Sequence, residues 1–340
     1  MQMGVRLLSR IAVVLCLVAC TSVACAQEED FDSLTATKRV FPGIGPGLRA
    51  VRRGPNGNYY VLAAPMPGLT VFDPQGKPVL QIGPPPAGAG KAKAPPNTIA
   101  FGEDLDVDTE GRIFVADRGA NAVKIFSPKG ELLRTISVMA PVSIAAMSGG
   151  EVAVATLSSP RLVTVFDVNG KEVREFGDPE EIAERRELNR YLNIGRIVSD
   201  AHDHVYFGFT YLPEATVRQF DRHGYGGTQI QLTSIDFLTQ ARAARREIDR
   251  QENRGGTPSL KPVMTGVGVE PASGEVWFAL GNTLVRFDKE GNRRATYKIY
   301  TPEGARLEAT TILIEPDRLL IGEDPLGVYA FERPEKKTQK

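Results

Sequence analysis

Hydrophobic and polar residues alternate most regularly between Leu105 and Ile136, where four short runs are separated by turn residues. Alternation with a period of two is typical of half-buried β-strands, and Gly, Pro, Asn and Asp favour tight turns. The pattern therefore predicts a four-stranded antiparallel unit. Its predicted strands are residues 105–108, 112–116, 122–126 and 131–136.

The same unit recurs along the chain. Its marker is an aromatic residue that ends the third strand, followed by a small or acidic residue and a Gly turn. The copies are VFDPQG (71–76), IFSPKG (125–130), VFDVNG (165–170), QFDRHG (219–224) and RFDKEG (286–291), with a truncated sixth at 330–332. Second strands are predicted at 58–62, 112–116, 151–155, 204–208, 275–279 and 318–322. Because one such unit cannot bury both faces, repeats of this length stack around an axis as a propeller.

The last copy lacks a fourth strand, and an isolated strand candidate, TKRVFPGIG (37–45), precedes the first copy. We expect this N-terminal strand to supply the missing outer strand and close the ring. The prediction is an all-β, six-bladed propeller of four-stranded antiparallel blades over residues 37–334. Large aromatic residues of the second strands are expected in the core: Trp277, Phe278, Phe207, Phe114 and Tyr60.

The best-preserved copy, GRIFVADRGANAVKIFSPKGELLRTI (111–136), resembles the NHL repeat family. The resemblance covers most of residues 37–334 and is strongest in the second blade. It implies a six-bladed propeller. Some members of the family bind protein or RNA, and related propellers include lactonases with a central divalent metal and amidating lyases with zinc and histidines near the axis. The resemblance therefore implies a fold more specifically than a function.

The N-terminal residues carry the pattern of an export signal. Arg6 and Arg10 precede a short apolar run, 11–19, which is too short to span a bilayer. Residues 1–26 are therefore predicted to be a signal peptide, with two possible cleavage sites. Leu17-Val18-Ala19-Cys20 resembles a bacterial lipobox, which would make Cys20 the lipidated first residue, and Ala24-Cys25-Ala26 fits ordinary cleavage.

We favour lipidation, which makes the protein exported, either periplasmic or anchored as a lipoprotein, with no other membrane contact. Residues 27–36 are expected to be a tether and 335–340 a disordered tail. All three cysteines lie before residue 27, so the propeller is expected to have no disulfide and no thiolate chemistry.

Charge narrows the choice of partner. The chain has 41 basic and 41 acidic residues, and two of the basic ones lie in the predicted signal peptide. A balanced charge argues against general nucleic-acid binding, which depends on a positive surface. The expected partner is a protein or a polar small molecule, and the expected state is a monomer.

Three insertions fall between the fourth strand of one blade and the first strand of the next, so all emerge on one face. Residues 83–96 form a Pro-, Gly- and Ala-rich loop, either a spacer or a flap. Residues 178–193 predict a helix capped by Asp178, and 233–255 a helix capped by Ser234. The apolar face of the helix in 233–255 is expected at Ile235, Leu238, Ala241 and Ile248. Its arginines form either a solvated face or a lid that recruits an acidic ligand or partner: Arg242, Arg245, Arg246 and Arg250.

Alignment of the first strands places one residue of each blade at the same level, where the innermost strand enters the central channel. These residues are Arg49, Asp104, Ser143, Arg196, Gly266 and Thr311, preceded by Leu48, Glu103, Val142, Gly195, Thr265 and Thr310. Guanidinium groups suit bidentate recognition of an anion. The alternative is that the ring's charges pair with each other. The candidate ligand-binding residues at the channel mouth are Arg49, Glu103, Asp104, Ser143, Arg196, Thr265, Thr310 and Thr311.

The sequence offers little for catalysis. His202, Asp203 and His204 are the one dense group of metal-ligand residues, but they occupy a predicted turn, whereas zinc needs three or four convergent ligands. Asp104, Asp106 and Asp108 lack the spacing of a calcium loop, and Asp108 and Asp117 are expected to cap turns. No catalytic residue, metal or cofactor is therefore predicted. We expect a platform that binds a protein partner or a polar or anionic small ligand. The alternative is a metal-dependent hydrolase or lyase at the central channel.

Overall fold

Six β-sheets follow one another along the chain and form the blades of a propeller in a computed structural model, which describes residues 31–87 and 95–334. In each blade the four principal strands pair with their neighbours in antiparallel fashion. This confirms the predicted all-β, six-bladed architecture. The signal peptide, Cys20, residues 27–30 and the tail lie outside the described residues, as do residues 88–94 of the first insertion.

The strands of the first three blades follow two N-terminal strands, β1 (Asp32–Thr35) and β2 (Lys38–Val40). Blade one is β3 (Leu48–Arg53), β4 (Tyr59–Ala63), β5 (Gly68–Phe72) and β6 (Pro78–Ile82). Blade two is β7 (Gly102–Val107), β8 (Ile113–Asp117), β9 (Ala122–Phe126) and β10 (Leu132–Ser137). Blade three is β11 (Pro141–Ala146), β12 (Val152–Thr156), β13 (Val163–Phe166) and β14 (Glu172–Phe176).

The remaining blades include both inserted helices. Blade four is β15 (Gly195–Ser199), β16 (Val205–Phe209), β17 (Thr216–Phe220) and β18 (Gly226–Gln231). Blade five is β19 (Gly266–Val269), β20 (Val276–Leu280), β21 (Thr283–Phe287) and β22 (Arg293–Tyr300). Blade six is β23 (Thr311–Ile314), β24 (Arg318–Glu323), β25 (Gly327–Glu332) and β2. The helices are α1 (Arg186–Leu192) and α2 (Leu238–Arg254).

The recurring aromatic-Asp-Gly marker is explained by the turn between the third and fourth strands. In blade one the carboxylate of Asp73 accepts the backbone N–H of Lys77 at 2.8 Å. Asp167 in blade three accepts from the residue four positions later in the same way, at 2.9 Å. The glycine just before the N–H donor of each turn takes a positive φ, which is 83° at Gly76. This conformation favours glycine because glycine lacks a Cβ. The marker is therefore a capped turn that repeats in blades one to five.

The ring is closed by main-chain pairing between the two ends of the propeller. Strand β2 pairs antiparallel with β25, with Lys38 opposite Ala330 and Val40 opposite Val328. The N-terminal strand thus supplies the outer strand of blade six, as predicted. Strand β1, which lies within the expected tether, also joins a blade, because it pairs in parallel with the outer edge of β22. The N-terminal segment therefore holds blades five and six together.

The core lies between successive blades, where the predicted aromatic residues are buried. Trp277 is fully buried, and its indole Nε1 donates to Glu275 Oε1 at 2.7 Å. Arg286 and Arg333 also donate to this carboxylate, at 2.8 and 3.0 Å. Burial opposes ionisation of Glu275, but these hydrogen bonds hold its pKa below the usual value. This buried ion cluster thus ties the chain after β25 to blade five.

Both inserted helices form in the predicted insertions, but their starts differ from the expectation. Helix α1 begins at Arg186, so Asp178 is not its cap. Instead, the residue that follows the C-terminal end of α1 holds the segment that precedes the helix. Asn193 Oδ1 accepts the N–H of Glu180 at 2.7 Å. Ile235, expected on the apolar face of the third insertion, is 80% exposed. Among the described residues, no helix is both long and apolar enough to cross a membrane.

Removal of the closing strands tests the ring closure. A chain that begins at Phe41 lacks β1 and β2, and we expect its free energy of unfolding to fall by about 3–5 kcal/mol, since several hydrogen bonds and buried apolar contacts are lost. The exposed edge of β25 should also promote self-association. Chemical denaturation and sedimentation measure both effects. A chain that begins at Phe31 is the control, and equal denaturation midpoints for the two chains would contradict the closure model.

Candidate ligand-binding cavity at the channel mouth

A cavity of about 570 Å³ opens at the end of the central channel on the face that carries the insertions. The starts of the first strands line it, together with α1 and residues that follow α2. Five of the predicted mouth residues reach it: Arg49, Glu103, Arg196, Thr265 and Thr310. The innermost strands therefore bring together residues that are up to 261 positions apart in the chain, as the repeat register had indicated.

Arg49 lies one residue nearer the mouth than the alignment had placed it. In β3 the pairing shifts between Leu48 and Ala50, so that Ala50 lies opposite Leu62. The equivalent pair in blade two is Asp104 opposite Ala116, after the same shift between Gly102 and Asp104. Arg49 and Glu103 are therefore the bulge residues of their strands and lie at the same level.

Asp104, Ser143 and Thr311 do not line the cavity, because they lie deeper in the channel wall. Asp104 is 2% exposed; it accepts a short hydrogen bond from the Ser143 hydroxyl, and Arg52 Nη2 donates to it at 3.2 Å. Ser143 in turn accepts the backbone N–H of Ile197 at 2.9 Å. These side chains link the first strands of blades one to four. Their polar groups are satisfied by the protein.

Arg196 is oriented by the backbone. Its Nη1 donates to the carbonyl oxygens of Glu103 and Val142, at 2.9 and 3.3 Å. Within the described residues no carboxylate pairs with its guanidinium group. The Glu103 carboxylate pairs instead with Arg118 Nε at 2.8 Å. Arg196 thus remains a fixed cation with donor capacity directed at the cavity.

Arg49 is the second cation of the cavity without an acidic partner in the described part of the chain. Its guanidinium lies over the ring of Phe101, 5.3 Å from the centroid, and its Nε is buried without a hydrogen-bond partner. A buried donor that lacks an acceptor costs free energy. An anion bound between Arg49 and Arg196 would supply the missing acceptor.

Two tyrosines form the wall on the α1 side. The hydroxyl of Tyr191 donates to that of Tyr211 at 3.3 Å, and the ring centroids are 4.6 Å apart. Burial raises the pKa of Tyr211 above its usual value. Tyr211 therefore stays protonated at neutral pH, and its own proton is available to an acceptor in the cavity.

The threonines contribute less than their hydroxyls had suggested. Thr310 Oγ1 donates to the carbonyl of Gly322 at 3.2 Å, and Thr265 Oγ1 donates to that of Ala279 at 3.4 Å. Both hydroxyls are therefore committed as donors to the backbone. Sequence reasoning missed several lining residues, which lie on α1 and on turns at the same end of the channel: Arg118, Arg190, Tyr191, Tyr211 and Asp324. Each of these residues follows a second strand or lies within an insertion, and this position is the sequence feature that could have identified them.

The arginine-rich helix does not cover the mouth, since no residue of α2 lines that cavity. Arg245 is engaged by Glu214 at 2.7 Å, and Arg250 pairs with Glu247. Arg242 and Arg246 are exposed and have no ion-pair partner among the described residues. The helix is therefore anchored beside the cavity, and two of the four arginines of the predicted lid lack an ion-pair partner among the described residues.

The histidines and the aspartates outside the cavity have structural partners. The chain's three histidines, His202, His204 and His223, lie on turns at the opposite end of the channel. His204 Nδ1 is 2.8 Å from Asp200 Oδ2, and Asp108 caps its turn by accepting the N–H of Arg112 at 2.8 Å. Within residues 31–87 and 95–334 there is no group of three or more acidic, His or Cys residues with the geometry of a metal site.

The opposite end of the channel contains a smaller cavity of about 330 Å³. Asp106 lines it; its Oδ2 accepts the backbone N–H of Ala146 at 2.8 Å, and Arg52 Nε is 3.7 Å from its Oδ1. Burial raises the pKa of Asp106 to about 6, although Arg52 and the backbone donors oppose the shift. The channel thus carries a carboxylate that ionises near neutral pH.

Comparison with solved structures shows the same class of fold, a six-bladed β-propeller. The chain is similar to a streptogramin B lyase, with a TM-score of 0.54 and 14% identity over 88% of this chain and 87% of that one. A catalytically inactive histidine-to-alanine variant of virginiamycin B lyase from Staphylococcus aureus, with quinupristin, gives 0.52 and 13% over 87% of both chains. Hydrazine synthase from Kuenenia stuttgartiensis gives 0.54 and 12% over 82% of this chain and 74% of that one.

No protein-family model and no curated protein sequence matches this chain. At identities this low the structural likeness shows the fold alone, and the function of this chain has to be argued from its own cavity.

The raised pKa of Asp106 gives a pH-dependent stability. The stabilising contribution of the protonated form is complete below about pH 4 and is lost as the pH rises through about 6. Relative to Asp106→Asn, the wild-type protein should therefore lose about 3 kcal/mol of unfolding free energy between pH 4 and 7. Denaturation at a series of pH values measures the difference.

Asp167→Asn is the matched control for this prediction. Hydrogen bonds from the backbone, chiefly from Lys171, lower the pKa of Asp167, so the wild-type advantage at this site should decline only on acidification below about pH 4. The same pH profile for both variants would contradict the assignment to Asp106.

Proposed function

We propose that this protein is a binding protein whose channel mouth accepts an anionic or polar group, either of a protein partner or of a small molecule. One observation carries the proposal: Arg49 and Arg196 both line the cavity, and neither has a carboxylate partner among the described residues. Among the other arginines that line the cavity, Arg118 is paired with Glu103, whereas Arg190 is exposed and has no ion-pair partner among the described residues. Arg49 and Arg196 differ from Arg190, because Arg49 has a buried donor without an acceptor and Arg196 is held by two carbonyl oxygens.

Geometry and electrostatics support the same proposal. Arg196 is held in place by two carbonyl oxygens, so little conformational entropy is lost when it donates to a ligand. Charge-assisted hydrogen bonds are stronger than neutral ones, and they are stronger in a partly enclosed cavity than in water. Tyr211 adds a neutral donor on the opposite wall. Together these groups suit a carboxylate, a phosphate or a strongly polar oxygen.

A metal-dependent hydrolase or lyase is the alternative, and it has less support. The carboxylates that line the mouth are Glu103, Glu187 and Asp324, and the first of these is already paired with Arg118. No histidine lines the mouth among the described residues. Two unpaired arginines also oppose a cation there. A stoichiometric divalent metal in elemental analysis, whose removal lowers the Tm, would favour this alternative.

Membership of the NHL repeat family and export remain part of the proposal. The capped turn of blades one to five and the sequence of blade two support the NHL likeness. The charged and apolar N-terminal pattern supports export, and the lipobox ending at Cys20 supports a lipid anchor. The ligand would then be met outside the cytoplasm.

Substitution of Arg196 tests the binding proposal. We expect Arg196→Gln to weaken binding of simple anions by about 10- to 100-fold, since one charge-assisted hydrogen bond is removed. Phosphate and citrate, titrated at constant ionic strength by calorimetry, serve as probes. Arg49→Gln should act in the same direction.

Arg242→Gln is the matched control, because it makes the same chemical change on exposed α2 outside the cavity. The variants and the wild-type protein should share one Tm without ligand. The proposed site would be refuted if the wild-type protein, Arg196→Gln and Arg242→Gln bound the probes equally. It would also be refuted if Arg242→Gln lost as much affinity as Arg196→Gln.

Replacement of Cys20 tests the proposed anchor. The protein expressed in a bacterium with lipoprotein processing should fractionate with membranes, and Cys20→Ser should release it because no thioether can form. Mass spectrometry of the mature N-terminus checks the chemistry. A wild-type protein that begins at Gln27 and is soluble would instead support cleavage after Ala26.

A further inference from the structure

A groove of about 700 Å³ lies beside the channel mouth, between α2 and residues 259–263. Its walls mix apolar and polar side chains, and its charges are unequal: Arg246, Arg250 and Lys261 line it with one carboxylate, Glu247. Arg250 pairs with Glu247. Arg246 and Lys261 are exposed and have no ion-pair partner among the described residues. The helix and the facing segment thus each contribute one uncompensated cation.

The groove is continuous with the channel mouth. Tyr211 and Pro262 line both cavities. Four basic and three acidic side chains line the mouth, and three basic and one acidic side chain line the groove. The connected surface is therefore positive in both parts, and it complements a ligand with more than one negative charge.

The wall opposite α2 is a segment of irregular backbone that is held near its two ends. Gln251 of α2 donates to the carbonyl of Ser259 at 3.2 Å and accepts the N–H of the same residue at 3.4 Å. Further along, Val263 donates its N–H to the carbonyl of Thr210 at 2.8 Å. These hydrogen bonds hold the helix and the segment at a fixed separation, so the opening is part of the fold.

Unused main-chain groups lie in the middle of this segment. The N–H and C=O groups of Leu260 and Lys261 form no hydrogen bond within the described part of the chain. An extended peptide has both donors and acceptors and pairs with such groups along its own backbone. A phosphate-based polyanion offers acceptors alone, which leaves the carbonyls of the segment unmatched.

We propose that the ligand is an extended acidic peptide segment of a partner protein. One of its carboxylates lies at Arg49 and Arg196, its backbone follows the segment of Leu260, and a second carboxylate lies at Arg246 and Lys261. The inference rests on the proposed function and assigns its ligand to a protein. A single small anion would fill one cavity and leave the cations of the other without a counter-charge.

Calorimetry with a spacing series tests the inference on the mature full chain at constant ionic strength. The probes are acetylated and amidated serine octapeptides with one glutamate, or with two glutamates one to six positions apart. One preferred spacing should bind about 10-fold more tightly than the single-glutamate peptides, since a second charge-assisted contact forms. Arg246→Gln and Lys261→Gln should each remove most of this gain. Arg196→Gln should weaken the peptide of preferred spacing as it weakens simple anions.

Arg242→Gln is the matched control, because it makes the same change on α2 one turn before Arg246 and lines neither cavity. It should keep the full gain at the preferred spacing. All variants should share the wild-type Tm, which verifies that the helix is intact. Backbone N-methylation of the peptide between its two glutamates should weaken binding, since it removes donors that pair with the segment.

The outcomes separate this inference from the proposed function. Equal affinity for one and two glutamates at every spacing, with anion binding still sensitive to Arg196→Gln, would overturn the peptide inference and leave the anion site standing. Anion binding that is insensitive to Arg196→Gln would overturn both. If tripolyphosphate bound as tightly as the best peptide and was weakened by Lys261→Gln, the ligand would be a small polyanion and the inference would fall.

Discussion

Main-chain pairing between β2 and β25 is the constraint on which the rest of the molecule depends. Each blade buries its faces only against its neighbours, so an open ring would leave two unsatisfied faces and an unpaired strand edge. The three residue pairs from Lys38 to Val40 close that gap. Strand β1 then extends blade five, and Arg333 joins the buried Glu275 cluster from the other end of the chain. The arrangement of all six blades thus depends on strand pairing between the two ends of the propeller.

A closed ring also fixes the innermost strands that line the channel. Ser143, Asp104 and Arg52 connect the first strands of three blades through hydrogen bonds and an ion pair. Because these groups satisfy each other in the wall, they are not available to a ligand. The same ties hold the strand ends at the mouth, where Arg196 lies against two carbonyl oxygens. The buried polar network therefore supports the geometry of the cavity without being part of it.

The two ends of the channel differ chemically. The end with the insertions combines Arg49 and Arg196, which lack carboxylate partners among the described residues, with the protonated hydroxyl of Tyr211. The other end has short capped turns, all three histidines and a channel carboxylate, Asp106, whose pKa is raised to about 6.

The sequence by itself determined the blade count, the closing strand, the capped turn of blades one to five and the face on which the insertions emerge. These features follow from period-two alternation and local turn chemistry, which depend on residues close together in the chain. The tertiary structure alone decided the level of Arg49, the depth of Asp104 and the position of α2 beside the mouth. The pairing that aligns Ala50 rather than Arg49 with Asp104, the contacts with a neighbouring blade and the anchoring of Arg245 by Glu214 join residues that are distant in the chain, and no local pattern encodes them. Tyr211 is the clearest case, since only the folded ring places this turn residue in the cavity that Arg49 and Arg196 line.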